Sequence, residues 1–150
     1  MNLEIGDIIF IHHNTPQSLF VSLRFWSWWN HFAIYIGDNK TAEITDKGFR
    51  NLNFDKHYKN KSIAVFRNKR LNINDKDVLR HDTIAVFSET KLDFLRLLIP
   101  FFRYRRANRL LCSEFVEILV LENNTSIWKL DNEEYASKHQ IKKIYDYREV

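Results

Sequence analysis

The sequence has little of what disulfide-rich, fibrous and linker-rich proteins require. Its 150 residues include one cysteine, Cys112, three glycines and two prolines. A single cysteine excludes an internal disulfide framework and every zinc or iron–sulfur site built from several cysteines. So few glycines and prolines exclude collagen-like and low-complexity chains, and no repeat array is present. At this length we predict a single globular domain over residues 1–150.

The sequence also lacks a long uncharged apolar run. His12, His13, Asn14 and Gln17 interrupt the longest one, so no stretch is long and apolar enough to span a bilayer. The first seven residues carry two acidic residues and no basic one, which is the reverse of a secretory signal. These features predict a cytoplasmic protein.

Positive charge is in mild excess. The chain has 23 Lys and Arg residues against 19 Asp and Glu residues, a formal net charge of +4. This balance favours anionic partners without requiring nucleic acid. Arg103, Arg105, Arg106 and Arg109 crowd the segment before Cys112 and offer a contact for an anionic surface. A solvated basic face is the more common outcome for such a cluster.

Hydrophobic periodicity and turn residues predict an α+β fold, with an antiparallel sheet packed against helices. The β-prone runs 32–36 and 42–45 flank a Gly-Asp-Asn-Lys turn at 37–40, which is the pattern of a hairpin. Further strands are predicted at 8–11, 62–66 and 141–147, the last as an edge strand guarded by lysines. Helices are predicted at 15–29, 74–88, 91–99, 113–122 and 133–138.

Cys112 stands at the predicted start of a helix. Unpaired amide N–H groups and the helix dipole favour negative charge at a helix N-terminus. This position therefore suits a thiolate nucleophile and the oxyanion that its attack creates. The competing interpretation is a buried thiol that packs as a small hydrophobic residue. A metal site that combines Cys112 with His31 and a third ligand lacks any HExxH or CxxC spacing, and we predict neither a metal nor a cofactor.

Of the six histidines, His31 is distinguished by its position at the start of a predicted strand of the hairpin. Alternation places His31 and Glu43 on the same face of the predicted hairpin. A carboxylate that accepts one ring N–H fixes the tautomer and leaves the other nitrogen as a base. The two residues oppose each other directly only across a very tight turn, and otherwise meet diagonally. Either His12 or His13 can border the same site, whereas His57, His81 and His139 are predicted to lie on the surface.

Three segments of the chain resemble one known family. Residues 6–10 (GDIIF), 30–39 (NHFAIYIGDN) with Glu43, and 111–116 (LCSEFV) are similar, in order and spacing, to the permuted papain-like branch of the NlpC superfamily. That branch includes the YiiX-like bacterial proteins and the lecithin:retinol acyltransferase group. The permutation puts the histidine before the cysteine. Glu43, in place of a histidine, and the Cys-Ser-Glu sequence resemble the YiiX-like side.

The resemblance implies a circularly permuted papain-like fold and a cysteine-dependent hydrolase. By analogy with the family, Cys112 would be the nucleophile, His31 the base and Glu43 the residue that orients the base. The implied substrate is a peptide or another acyl amide, with a peptidoglycan-type peptide as one class. One alternative is a lipid acyl hydrolase or acyltransferase, for which Trp26, Trp28 and Trp29 would contact a membrane surface. A non-catalytic nucleic-acid or membrane binding module is a second alternative. The sequence does not indicate an oligomeric state.

Overall fold

The computed structural model describes residues 1–58, 60–93, 109–121 and 125–148. The strands of this part are β1 (Ile8–Ile11), β2 (His31–Gly37), β3 (Lys40–Thr45), β4 (Gly48–Asn53), β5 (Ile63–Asn68), β6 (Lys91–Leu92), β7 (Arg109–Leu110) and β8 (Ile141–Tyr147). The helices are α1 (Pro16–Phe25), α2 (Phe54–Tyr58), α3 (Ile73–Phe87), α4 (Cys112–Val120) and α5 (Glu133–Lys138), with a 3-10 turn at Ile127–Lys129.

Six of the strands form one antiparallel sheet in the order β4-β3-β2-β1-β5-β8. The strands β6 and β7 pair separately and in parallel. Helix α4 packs against β2 and β3, and α5 packs against β8. The predicted α+β architecture is therefore confirmed, and β8 lies at an edge of the sheet as predicted.

The β2–β3 hairpin closes through a two-residue turn. Asp38 and Asn39 both have left-handed backbones, with φ of 51° and 58°, which is the geometry that matches the twist of paired strands. Gly37 pairs with Lys40, and a register shift between Tyr35 and Gly37 adds one residue to β2. Beyond that bulge, Ala33 stands opposite Glu43.

Each face of the sheet buries its own apolar cluster. Phe32, Ile34 and Ile36 of β2 join the core beneath α3 and α4, whereas Ala33 joins the opposite face with Phe54 and Tyr58 of α2. The alternation predicted for β2 is therefore confirmed. His31 precedes Ala33 by two residues and so belongs to the α2 side of the sheet.

Several helix boundaries differ from those predicted. Helix α1 ends at Phe25, four residues early, because Trp26 adopts a left-handed backbone with φ of 49°. Helix α3 begins at Ile73, since the Asn72 side chain accepts from the Asp75 N–H and the Asn72 N–H donates to the Asp75 carboxylate. Lys91–Leu92 is a short strand rather than the start of a helix, and the rest of that predicted helix lies outside the described residues. In the described part, no helix has the length and apolar character that a membrane crossing demands.

Strand β4 and helix α2 are missing from the sequence prediction. The segment GFRNLNFDKHY at 48–58 has weak hydrophobic alternation because β4 is an edge strand with exposed Arg50 and Asn51. Such strands carry little periodic signal. The two elements matter for function because they supply side chains to the site described below.

Gly6 precedes β1 in a backbone that only glycine adopts easily. Its φ is +89°, and a Cβ would lie 2.5 Å from Leu71 Cδ1. We expect Gly6→Ala to lower the free energy of unfolding by about 2–4 kcal/mol, since strain and overpacking add. Gly48→Ala is the matched control, because φ is +106° but the nearest atom is 3.6 Å away. Urea unfolding measures the free energy of unfolding of both variants. Equal losses would mean that the contact with Leu71 does not cause the effect of Gly6→Ala.

Candidate active site

One cavity of about 550 Å³ opens where β2 begins. Its lining comes from the end of β1, from α1, from strands β2, β3 and β4, from α2 and from the first residue of α4. Cys112, His31 and Glu43 all line it. The structure thus places the three residues selected from the sequence around a single space.

Cys112 is the first residue of α4. Leu111 occupies the N-cap position, and its own N–H donates to the Glu114 carboxylate over 2.9 Å. The first intrahelical bond runs from the Phe115 N–H to the Leu111 carbonyl, 3.0 Å, so the amides of residues 112–114 have no acceptor within the helix. The thiol is free and only 5% exposed. Cys112 therefore lies beside amides without an intrahelical acceptor, at the positive end of the helix dipole.

His31 and Glu43 form a direct hydrogen bond across the hairpin. The distance from His31 Nε2 to Glu43 Oε2 is 2.7 Å, and the side chains are 14% and 4% exposed. Because the bulge sets Glu43 opposite Ala33, the two residues meet diagonally, which is one of the arrangements left open by the sequence. Nε2 donates to the carboxylate, so Nδ1 is the ring nitrogen available to a second partner.

Two further side chains hold Glu43. The Tyr58 hydroxyl donates to Oε2 over 2.8 Å, and the Arg50 guanidinium approaches Oε1 at 3.3 Å. Arg50 faces Glu43 directly across the β3–β4 pair, and Tyr58 is the last residue of α2. Burial raises the pKa of Tyr58, as does the neighbouring Glu43 charge, so its hydroxyl stays a hydrogen-bond donor. The carboxylate is thus fixed from three sides.

The electrostatics favour an imidazolium at His31. Burial acts to lower its pKa, but hydrogen bonds with Cys112 and Glu43, together with their charges, outweigh burial and raise the pKa to about 10. For Glu43, burial acts to raise the pKa, and His31, Tyr58 and Arg50 reverse that effect and lower it to about 2. Cys112 and His31 both line this cavity, and the Cys112 charge is among the causes of the raised pKa of His31. A negative Glu43 and a positive His31 therefore coexist over the whole neutral range.

His13 is the second histidine of the cavity. Its ring lies 5.5 Å from the His31 ring, centroid to centroid, and its backbone N–H donates to the Asn30 side chain over 2.9 Å. Burial and the positive charge of His31 lower its pKa to about 4. His13 is therefore a neutral imidazole at neutral pH and can donate a single N–H into the cavity.

Comparison with solved structures identifies the architecture. The crystal structure of the metalloprotein YiiX from Escherichia coli O157:H7 matches with a TM-score of 0.67 at 14% sequence identity, over 99% of this chain and 100% of that one. The chain has the permuted papain-like fold of YiiX. Sequence comparisons with family models and with curated proteins find no significant match. The fold predicted from the three motif segments is thereby confirmed.

YiiX is described as a metalloprotein. A metal site in this protein would need several His, Cys, Asp or Glu side chains grouped together. Across residues 1–58, 60–93, 109–121 and 125–148, no group of three or more His, Cys, Asp or Glu side chains is arranged to hold a metal ion. Cys112 and His31 line the same cavity, and His31 is hydrogen-bonded to Glu43.

Sequence reasoning did not select Arg50, Tyr58 or Lys61 of the cavity, and it misplaced His57. Arg50 and Tyr58 belong to the elements that were not predicted, and Lys61 follows them. His57 lines the cavity, although we predicted it on the surface. Its position on α2 explains the error, because that helix was not predicted.

The basic cluster before Cys112 is only partly described. Arg103, Arg105 and Arg106 lie outside the described residues. Arg109 begins β7 and donates to the Leu92 carbonyl at 3.3 Å, so it joins the short parallel pair that leads into α4. The predicted anionic contact of this cluster stays a prediction, as does the binding-module alternative that depends on it.

Proposed function

We propose that this protein is a cysteine hydrolase that cleaves an amide through a thioester acyl-enzyme. The observation that carries the proposal is the convergence of Cys112, at a helix N-terminus, with the His31–Glu43 pair in one cavity. These are the components that nucleophilic catalysis by a thiol requires: a positive local environment, a base and a residue that orients the base. The permuted papain-like fold is compatible with this chemistry.

In the first step, the thiolate sulfur of Cys112 attacks the carbonyl carbon and a C–S bond forms. The carbonyl oxygen becomes an oxyanion, which the backbone N–H of Cys112 stabilises. Collapse of this intermediate breaks the C–N bond, and the leaving amine takes a proton from the His31 imidazolium. Acylation removes the thiolate charge, which is one cause of the raised pKa of His31, so the imidazolium becomes a stronger acid as it must release its proton.

In the second step, neutral His31 accepts a proton from water. The resulting hydroxide equivalent attacks the thioester carbon, the C–S bond breaks, and a carboxylic acid leaves. Glu43 keeps the ring in place through both steps because Tyr58 and Arg50 hold the carboxylate. The neutral ring of His13 is the second donor that we assign to the oxyanion.

The amidase proposal is tested with peptidoglycan-derived peptides, which are the substrate class that the resemblance implies. We expect amide cleavage that is lost in Cys112→Ala, and mass spectrometry of quenched reactions should detect an acyl adduct on Cys112. Circular dichroism of both proteins controls for folding. Cleavage that survives Cys112→Ala would contradict a thiol mechanism.

A lipid acyl hydrolase is a second candidate, favoured by one surface of α1. Large apolar side chains on and just after this helix face solvent: Leu19 is 50% exposed, Phe20 40%, Leu23 73% and Trp26 95%. They recur at the spacing of one helix face, and other residues of α1 line the cavity. Such a stripe beside a cavity is typical of a helix that rests on a lipid surface. Trp29, by contrast, is buried and belongs to the core.

Phospholipid vesicles offered in parallel with the peptides distinguish the two candidates. Release of fatty acid that depends on Cys112, without amide cleavage, would replace the amidase proposal while keeping the thiol mechanism. The stripe itself is tested by Leu23→Ser, with Val86→Ser on α3 as the control, because Val86 is equally apolar and 68% exposed. Loss of vesicle binding in Leu23→Ser alone would support the lipid candidate.

A further inference from the structure

The cavity lining contains two basic side chains, Arg50 and Lys61, that do not have a carboxylate to themselves. Glu43 is occupied by three partners and cannot neutralise a further cation. The remaining acidic side chain of the lining is Asp46, which is exposed to solvent. Arg50 and Lys61 line the same space from β4 and from the turn after α2. These two basic side chains favour an anionic group on whatever occupies the cavity.

Lys61 is the clearest unmatched charge. Its ammonium lies 5.7 Å from the centre of the Tyr58 ring, and its backbone N–H donates to the Tyr58 carbonyl over 3.1 Å. With the described residues it forms no ion pair. Burial lowers the pKa of Lys61, which shows that water stabilises its charge incompletely. A bound anion would supply the missing stabilisation.

Arg50 is only partly engaged. Its side chain is 43% exposed, and its contact with Glu43 is a single, long one of 3.3 Å. A guanidinium presents five N–H donors, so most of them stay available to the cavity. Planar donors of this kind match the two oxygens of a carboxylate or phosphate. Arg50 and Lys61 both line the cavity that contains Glu43.

We propose that the cavity binds its acyl donor through an anionic group, a carboxylate or a phosphate, held by Lys61 and Arg50 beside the reacting carbonyl. The proposal rests on the cysteine hydrolase function and adds a substrate class to it. Lys61 supplies a mobile point charge, and Arg50 supplies directed hydrogen bonds. An amide substrate without the anion would forgo both interactions and leave Lys61 partly desolvated and unpaired.

Two alkylating agents of nearly equal size test this without knowledge of the substrate. Iodoacetate carries a carboxylate and iodoacetamide is neutral, and both transfer a two-carbon group to the Cys112 sulfur with release of iodide. We expect Lys61→Gln to lower the ratio of the iodoacetate rate to the iodoacetamide rate about fivefold, as loss of one nearby charge at intermediate dielectric predicts. Lys56→Gln is the matched control, because Lys56 is an exposed lysine of α2 outside the cavity.

Each outcome has a distinct meaning. A lower ratio in Lys61→Gln, with Lys56→Gln unchanged, supports the proposal. An unchanged ratio in Lys61→Gln overturns it, and does so without touching the hydrolase function as long as iodoacetamide still reacts with the folded protein. Failure of both reagents to modify Cys112 would instead overturn the hydrolase function. Protection of Cys112 by acetate or by inorganic phosphate then distinguishes a carboxylate from a phosphate.

Discussion

Alkylation of Cys112 by iodoacetamide is expected to proceed in the folded protein, and His31→Ala should slow it and move its pH profile upward. An ordinary thiol reacts appreciably only near its pKa of about 8.5. Here the start of α4 and the imidazolium of His31 both stabilise the thiolate. The same attraction between the Cys112 charge and the imidazolium is one cause of the raised pKa of His31. The profile is measured from the rate of adduct formation by mass spectrometry.

His57→Ala is the control for that experiment. His57 lines the same cavity but belongs to α2, and no contact with Cys112 or Glu43 is found for it. Its replacement should leave the profile where it is. If Cys112 reacts only after the protein is denatured, the thiol is an inert part of the core and the hydrolase function is wrong.

Replacement of Glu43 by glutamine is expected to reduce the catalysed rate by about 100- to 10,000-fold. Glutamine has nearly the same shape and can still accept one hydrogen bond, but it carries no charge to stabilise the imidazolium. Because that charge is one of the causes that raise the pKa of His31, the pKa should fall in the variant. NMR titration of the His31 ring measures this shift directly, and peptide cleavage measures the rate.

Asp46→Asn controls for charge alone. It removes one negative charge from the rim of the same cavity, yet no hydrogen bond or ion pair with His31, Tyr58 or Arg50 is found for Asp46. We expect it to retain most of the activity. Equal losses in the two variants would mean that general electrostatics, and not the bond to His31, explain the effect of Glu43.

The Glu43 variant should also change stability in a way that depends on pH. The lowered pKa of Glu43 contributes stability that is complete above pH 4.5 and is lost as the pH falls towards 2. The raised pKa of His31 contributes stability that is complete below pH 6.5 and is lost as the pH rises towards 10. The difference in melting temperature between the two proteins is therefore expected to peak between pH 4.5 and 6.5.

The fold and the central pair could be predicted because they depend on local patterns. The run from His31 to Gly37 alternates cleanly, and the turn residues Asp38 and Asn39 both adopt a left-handed backbone easily. Helix α4 has a strong apolar periodicity, so its start near Cys112 could also be predicted from the sequence. These signals lie within a few residues of the features that they predict.

The surroundings of Glu43 could not be predicted in the same way. Arg50 reaches the carboxylate through the β3–β4 pairing, and Tyr58 reaches it from a five-residue helix that is too short to show periodicity. Lys61 depends on both elements for its position. Contacts of this kind are set by tertiary packing across the sheet, for which a single sequence contains no direct signal.

The pairing register of β2 and β3 decides on which face of the sheet the Glu43 side chain lies. Since side chains change face at every residue of a strand, a slip of β3 along β2 by one residue would turn Glu43 into the core beneath α4 while the strands stayed paired. Such a chain could keep its sheet, its helices and its exposed surface, and yet lose the carboxylate partner of His31. The pairing register of this hairpin therefore matters to the site as much as the identities of its residues, although the hairpin lies far from the thiol in sequence.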